Sequence, residues 1–207
     1  MRRRPPAGQA GIRITGGTAR GRVIESPKGY QTRPALARLR NSLFNIIQSI
    51  VPEARVLNLF AGTGSLGLES LSRGAQFCFF VENNRECFDL IRQNLNRLGF
   101  DKQAEVVLAD GLKILPRLQA GPHKFDIVFV DPPYKFFDQA NIRKQLLGLL
   151  DELVGKGLVD RQGRFVIEHR QGQLAELNLV HLELVDQREY GQTRLSFLAV
   201  RAGRTES

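Results

Sequence analysis

RVLNLFAGTGSLGLESLSRG, residues 55–74, is the stretch on which the reading of this chain turns. RVLNLF is a short apolar run of strand type, and SLGLESLSR reads as a helix closed by Gly74 at its C-terminal end. Between them stand Gly62 and Gly64. Glycines there let the backbone approach a ligand closely, and the helix N-terminus faces that ligand. Gly62, Gly64 and Gly67 match G-x-G-x-x-G. The pattern alone also serves nicotinamide and flavin enzymes, and a tight turn with close helix packing would produce it too.

Outward from this unit a rhythm continues. FCFFVE (77–82) precedes the helix NRECFDLIRQNLNRL, closed by Gly99. AEVVLA (104–109) precedes a short helix to about Leu118, FDIVFV (125–130) precedes a helix around IRKQLLGLLDELV, and RFVIEH (164–169) follows. Continuous apolar strands alternating with helices predict a parallel sheet covered on both faces. The end differs. VHLELVDQREY (180–190) and TRLSFLAVR (193–201) read as an antiparallel hairpin turning at Gly191. Upstream, IRITGGTARGRVIE (12–25) reads as two short strands around a glycine-rich turn. From Pro34, apolar residues Leu36, Leu39, Leu43, Phe44, Ile47 and Ile50 recur at helical spacing, predicting a helix over 34–49. The fold class is therefore α/β: a mostly parallel sheet, a terminal antiparallel hairpin, and a small N-terminal hairpin and helix, a set that the resemblance given below implies is Rossmann-like.

The 207 residues suit one domain with an appendage. No apolar run reaches the ~18–20 residues of a spanning helix. Two cysteines, Cys78 and Cys87, suit neither a disulfide framework nor a zinc site, and three scattered histidines make no metal motif. A cytoplasmic monomer without metal is expected. The net charge of +9 is uneven. Residues 1–40 hold ten Lys or Arg and one acid, Glu25, whereas residues 41–207 hold twenty of each sign. A basic first fifth on a neutral body predicts contact with a polyanion, a disordered arm at residues 1–11 included.

Three acids end strands at the edge where open α/β sheets bind ligands. Glu82 follows Gly64 by 18 residues and suits the hydroxyls of a ribose. Asp110 would accept from an adenine amine or cap a helix. Asp131 opens DPPY, Asp131 to Tyr134, where two prolines stop the strand. An exocyclic base amine is a poor nucleophile. Acceptors on a stiff turn, Asp131 and the Pro132 carbonyl, would hold its N–H groups, and Tyr134 would stack on the base. DPPY as a plain strand stop is the simpler reading of the tetrapeptide alone.

RITGGTARGR, TRPALARLRNSLFN, LFAGTGSLGLESLSRGA, FVE, DPPY, VIEH and YGQTRLSF occur in one order over roughly residues 12–200. That ordered set resembles the bacterial 16S ribosomal RNA guanine-N2 methyltransferases of the RsmD type, which use S-adenosyl-L-methionine and release S-adenosyl-L-homocysteine. The resemblance implies that Asn58, Phe60, Ala61, Gly62, Gly64, Glu82, Asn83, Asp110 and Gly111 hold the donor. It implies that Asp131, Pro132, Pro133 and Tyr134 hold the guanine. Arg13, Arg20, Arg22, Arg33 and Arg38 would contact 16S rRNA or the small ribosomal subunit. Residues 12–51 would be an RNA-contacting extension and 52–207 the methyltransferase domain. Asn58 stands where the family usually has Asp, which keeps a hydrogen bond and loses a charge. The rival readings are a methyltransferase acting on DNA adenine or protein glutamine, a nucleotide-dependent dehydrogenase, and a non-catalytic RNA-binding protein. The glutamine enzymes typically carry Asn at the Asp131 position, and the dehydrogenase gives no reason for DPPY.

Overall fold

A computed structural model describes residues 11–27, 34–174 and 179–202, with the side chains of 34–36 left aside. The expected basic arm, apart from Gly11, lies outside the described residues, as do Arg33 and the side chain of Leu36. The elements are β1 (Gly11–Arg13), β2 (Val23–Glu25), α1 (Pro34–Ile46), β3 (Arg55–Leu59), α2 (Ser65–Ser72), β4 (Phe77–Glu82), α3 (Arg85–Leu98), β5 (Ala104–Leu108), α4 (Leu115–Gln119), β6 (Phe125–Val130), α5 (Lys135–Asp138), α6 (Ala140–Gly155), β7 (Val159–Arg170), β8 (Leu182–Tyr190) and β9 (Thr193–Val200).

Seven strands form one sheet in the order β5-β4-β3-β6-β7-β9-β8. The first five are parallel, and β9 and β8 close it as the expected antiparallel hairpin. The apolar runs explain the layers, because side chains alternate between faces with period two. Val56, Cys78, Phe80, Ile127, Phe129 and Val166 bury on one face. Leu57, Phe79, Val81, Val128, Val130, Phe165 and Ile167 bury on the other, against α4, α5 and α6. Each such side chain, fully buried, contributes about 1.5–3 kcal/mol. From β3 the chain steps one way to β4 and β5, then returns to lay β6 on the opposite side of β3. That reversal is a topological switch point, where the crevice for a ligand opens.

A two-stranded hairpin is not stable alone in water, so β1–β2 depends on what it docks against. Ile12, Ile14 and Ile24 join Leu39, Leu43 and Phe44 of α1 in the same core as Leu68, Phe80 and Phe129. The polar half of the joint is Glu69 of α2, fully buried. Its carboxylate accepts from Thr15 N–H (2.9 Å), Thr15 Oγ1 (2.7 Å) and Gly16 N–H (2.8 Å), and pairs with Arg73 (2.8 Å) and Arg40 (3.5 Å). Asn94 of α3 brackets the backbone of Glu25, accepting its N–H and donating to its carbonyl, both at 2.9 Å.

The sequence reading and the structure differ at α1, at β7 and after DPPY. α1 stops at Ile46 rather than at residue 49, since Ile50 N–H closes a tighter turn on Ile47 O and brings Val51 into the core, leaving Ile50 exposed. β7 starts at Val159, five residues early, because a register shift opposite Phe125 and Ile127 lets Val159 pair as well. The short α5 after DPPY was not anticipated from sequence. The described residues include no helix long and apolar enough to cross a membrane.

Candidate active site

Leu59 of β3 lies opposite Val130 of β6, so Phe60 and Asp131 leave the sheet side by side at the switch point. A cavity of about 720 Å³ opens there, within the usual size for small-molecule sites. Phe60 departs from β3 with φ 57°, a left-handed conformation uncommon for a residue with a side chain. Such strain costs of order 1–3 kcal/mol and persists where neighbours enforce it. Here Ala61 N–H donates to Val81 O (2.9 Å) and Gly64 N–H to Ala61 O (2.7 Å). The three glycines then differ. Gly62 (φ 53°) borders the cavity, and a Cβ there would meet open space. Gly64 (φ 74°) begins α2, with Ile91 packed 2.8 Å from where a Cβ would stand. Gly67 lets Phe80 and Cys78 pack directly on α2.

Glu82 ends β4 and is buried. Its Oε2 accepts from Gly62 N–H (2.6 Å) and its Oε1 from Asn84 N–H (2.7 Å), so the carboxylate ties the glycine loop to the next strand end. Asn83 beside it lines the cavity. Asn58, inside β3, also lines the cavity, and its buried Nδ2 has no hydrogen-bond partner. An unmet buried donor costs about 1–3 kcal/mol, which an acceptor on a bound molecule would relieve. Asp110 accepts from Leu112 N–H (3.0 Å) and caps the short turn Gly111–Lys113. Its neighbours Ala109 and Gly111 line the cavity instead, and the ring of Phe60 packs where a Gly111 Cβ would stand.

Asp131, Pro132, Pro133 and Tyr134 border the same cavity. The ring of Phe136 meets Phe60 edge to face at 5.7 Å, which joins the end of β6 to the end of β3. Tyr134 is fixed on three sides. Its hydroxyl donates to Glu168 Oε1 (3.3 Å) and lies 3.4 Å from Thr193 Oγ1. Its ring carries the Arg170 guanidinium at 4.8 Å, and its carbonyl accepts from Gln173 Nε2 (3.1 Å). One ring face is thus covered by a cation. Val130 pairs with Ile167, which sets Asp131 beside Glu168 one step further along. Burial first, and the Glu168 charge second, raise the Asp131 carboxyl well above its ordinary range. Its exposed surface faces the cavity, so water there moderates the rise and a molecule filling the cavity would complete it. Burial also raises Glu168, opposed by the Tyr134 hydroxyl bond.

The far wall comes from the N-terminal extension: Ile12 and Arg13 of β1, and Ala37, Leu39, Arg40 and Leu43 of α1. Arg13 donates to Gly21 O (2.7 Å), Arg22 donates to the carbonyls of Arg97 and Leu98 at the end of α3, and Arg20 and Arg38 are exposed. Arg40 carries part of the basic excess yet is buried on Glu69.

Residues 12–199 match the family model described as conserved hypothetical protein 95. This chain belongs to that family. It is 33% identical over 183 residues to "Putative rRNA methyltransferase YlbH" of Bacillus subtilis, covering 88% of this chain and 95% of the relative. Ribosomal RNA small subunit methyltransferase D of Haemophilus influenzae is 36% identical over 148 residues, 71% of this chain and 74% of its own. Among solved structures, the Escherichia coli methyltransferase-named protein yhhF superposes with TM-score 0.77 at 27% identity, covering 94% of this chain and all of that one. The membership drawn from the ordered motifs of the sequence, in the RsmD type, is borne out.

For a member of this family the geometry gathers most of the residues singled out by sequence. Asn58, Phe60, Ala61, Gly62, Glu82, Asn83, Gly111 and the whole of DPPY share one cavity, while Gly64 and Asp110 support it from behind. Glu168, Arg170 and Thr193 were missed. The signal for Glu168 was available: VIEH puts an acid at the end of a parallel strand, as FVE and FVD do. Arg170 and Thr193 carry no such signal, since only the β7–β9 pairing brings them together.

Proposed function

We propose that this chain transfers a methyl group from S-adenosyl-L-methionine to the exocyclic N2 amine of a guanine in 16S rRNA. The observation that carries this reading is the placement of Asp131–Tyr134 beside the glycine loop, on one cavity with Asn58 and Glu82. The names of the relatives, two of them rRNA methyltransferases, support the substrate class.

The residues fit the donor. Glu82, with both oxygens already fixed by backbone N–H groups, would accept from its ribose hydroxyls. The unmet Asn58 Nδ2 would donate to its carboxylate, and Gly62 leaves room for close approach. When bound, the donor supplies a methyl group on a sulfonium sulfur. Asp131 and the Pro132 carbonyl would hold the two N–H bonds of the guanine amine and aim its lone pair. The nitrogen forms the new N–C bond, the C–S pair returns to sulfur, and the methylated amine loses its proton afterwards. Tyr134, its rear face on Arg170, offers its other face for stacking. Orientation and a dry, polar site then supply the rate.

Residues 12–51 act in this reading as an extension that both walls the cavity and presents Arg13, Arg20 and Arg38 to RNA, with the segment 1–11 adding charge. Mass spectrometry of small-subunit RNA from cells with and without the gene tests the whole. N2-methylguanine missing at one site in the deletion strain, and restored by the purified chain, is the expected result. An unchanged RNA would overturn it.

A further inference from the structure

Asp131 and Glu168 stand on neighbouring parallel strands at one level of the sheet, since the pair Val130–Ile167 lies directly before them. Both border the cavity, and among the described residues neither carboxylate is paired with a cation. Arg170, two residues beyond Glu168 on β7, lies over the Tyr134 ring. The Tyr134 hydroxyl occupies Glu168 Oε1, and no described hydrogen bond uses Oε2. Two adjacent acceptors at the floor of a cavity ask for a ligand with two adjacent donors. DPPY uses one of them, Asp131. Glu168 has no part in the transfer described above.

We infer that Glu168 reads the ring N1–H of the target base while Asp131 holds its amine, so that the carboxylate pair selects guanine. The inference rests on the guanine-N2 reading given above. Guanine presents N1–H and the N2 amine side by side, two donors to two acceptors. Adenine presents an amine beside a bare N1, whose lone pair would face the Glu168 carboxylate. The Tyr134 hydroxyl favours the ionised form of Glu168 by donating to it, which keeps it an acceptor. Burial raises both carboxyls and the Glu168 charge raises Asp131 further, and the donors of guanine relieve that cost where the bare N1 of adenine would add to it. A site built to accept a hydrogen bond rejects an analogue lacking the donor far more strongly than an apolar pocket rejects a size change.

The base 2-aminopurine separates the two carboxylates, because it keeps the 2-amine and has a lone pair at N1. The methylated guanine is first mapped in ordinary small-subunit RNA, then replaced by 2-aminopurine in the same RNA. Transfer by the full chain is measured as kcat/KM on both. Wild type is expected to prefer guanine by roughly 100-fold or more. Glu168→Gln, whose amide can donate to N1, should lose rate on guanine and narrow that preference at least tenfold. Were Glu168 only a brace for Tyr134, Glu168→Gln would lower both rates equally and leave the ratio unchanged, which overturns the inference. Should Glu168→Gln not fold, wild type alone decides, because equal rates on the two bases overturn the inference. Absence of N2-methylguanine from ordinary RNA rejects the guanine reading itself. Its presence with an unchanged ratio rejects this inference alone.

Discussion

Replacing Glu82 by Gln changes one oxygen to an amide nitrogen and leaves the volume alone. In the native site both oxygens are engaged, Oε2 with Gly62 N–H at 2.6 Å and Oε1 with Asn84 N–H at 2.7 Å. Gln offers one acceptor to two backbone donors. Its NH₂ must face the second donor, so one buried N–H goes unmet at a cost of about 1–3 kcal/mol in folding stability. The donor loses a charge-assisted bond from its ribose, about 1.5–3 kcal/mol, which corresponds to a Kd roughly 10- to 150-fold weaker. Calorimetry with S-adenosylhomocysteine measures the second quantity and thermal unfolding of the free protein the first. Both should fall. A brace for the loop, with no contact to the donor, would lower Tm and leave the affinity of the folded molecules intact. A Kd within threefold of wild type would therefore refute the ribose assignment while leaving the loop geometry standing.

Asp131→Asn should abolish turnover yet stabilise the fold at neutral pH. A carboxyl raised in the folded state binds more protons there than in the unfolded chain, so its contribution falls as pH rises from the unfolded toward the folded pKa. Thermal melts should show Tm above wild type near pH 8 and the gain vanishing below about pH 4; a loss at both would contradict the raised carboxyl. By the same ionisation, kcat/KM of wild type should fall as pH drops through the raised range of the Asp131–Glu168 pair, earlier than an ordinary carboxylate would titrate, in a pH–rate profile. Glu69→Ala should cost about 3–5 kcal/mol in denaturant unfolding, since it strands Arg40 and Arg73 and three donors of the hairpin.

The sheet was legible because its strands are apolar on both faces and its helices end at Gly74 and Gly99, as a covered parallel sheet requires. The site was legible where it is local: a carboxylate at a strand end, glycines after a strand, prolines stopping one. It was hidden where it depends on pairing across the sheet. Arg170 and Thr193 are 36 and 59 residues from Tyr134 in the chain and meet it only through β7 and β9. Charge counting had a related blind spot. Arg40 adds to the basic excess of the first forty residues, but its partner Glu69 lies on α2, so the charge that looked free for RNA is spent inside. Asp110 shows the opposite case, where an acid at the expected strand end caps a turn, as local propensity alone would have it.

The costs in this molecule gather at one edge. Phe60 holds a left-handed backbone, Asn58 keeps an unmet buried amide, and Asp131 and Glu168 place two carboxyls together with no ion pair to a cation among the described residues. None of these helps the chain fold, and all four border the same cavity. A structure retains such features where the surroundings enforce them, and here the surroundings are identifiable. The aromatic contact from Phe136 and the backbone bond from Ala61 to Val81 hold Phe60 in place, and Tyr134 holds Glu168. The N-terminal extension, locked on Glu69, closes the wall opposite. On the function proposed above, each unmet group would find a complement on one of two partners: an acceptor for Asn58 on the donor, and paired N–H groups for Asp131 and Glu168 on the base. Binding both partners would offset those costs, which is why the same four residues that weaken the fold are the ones expected to carry its chemistry.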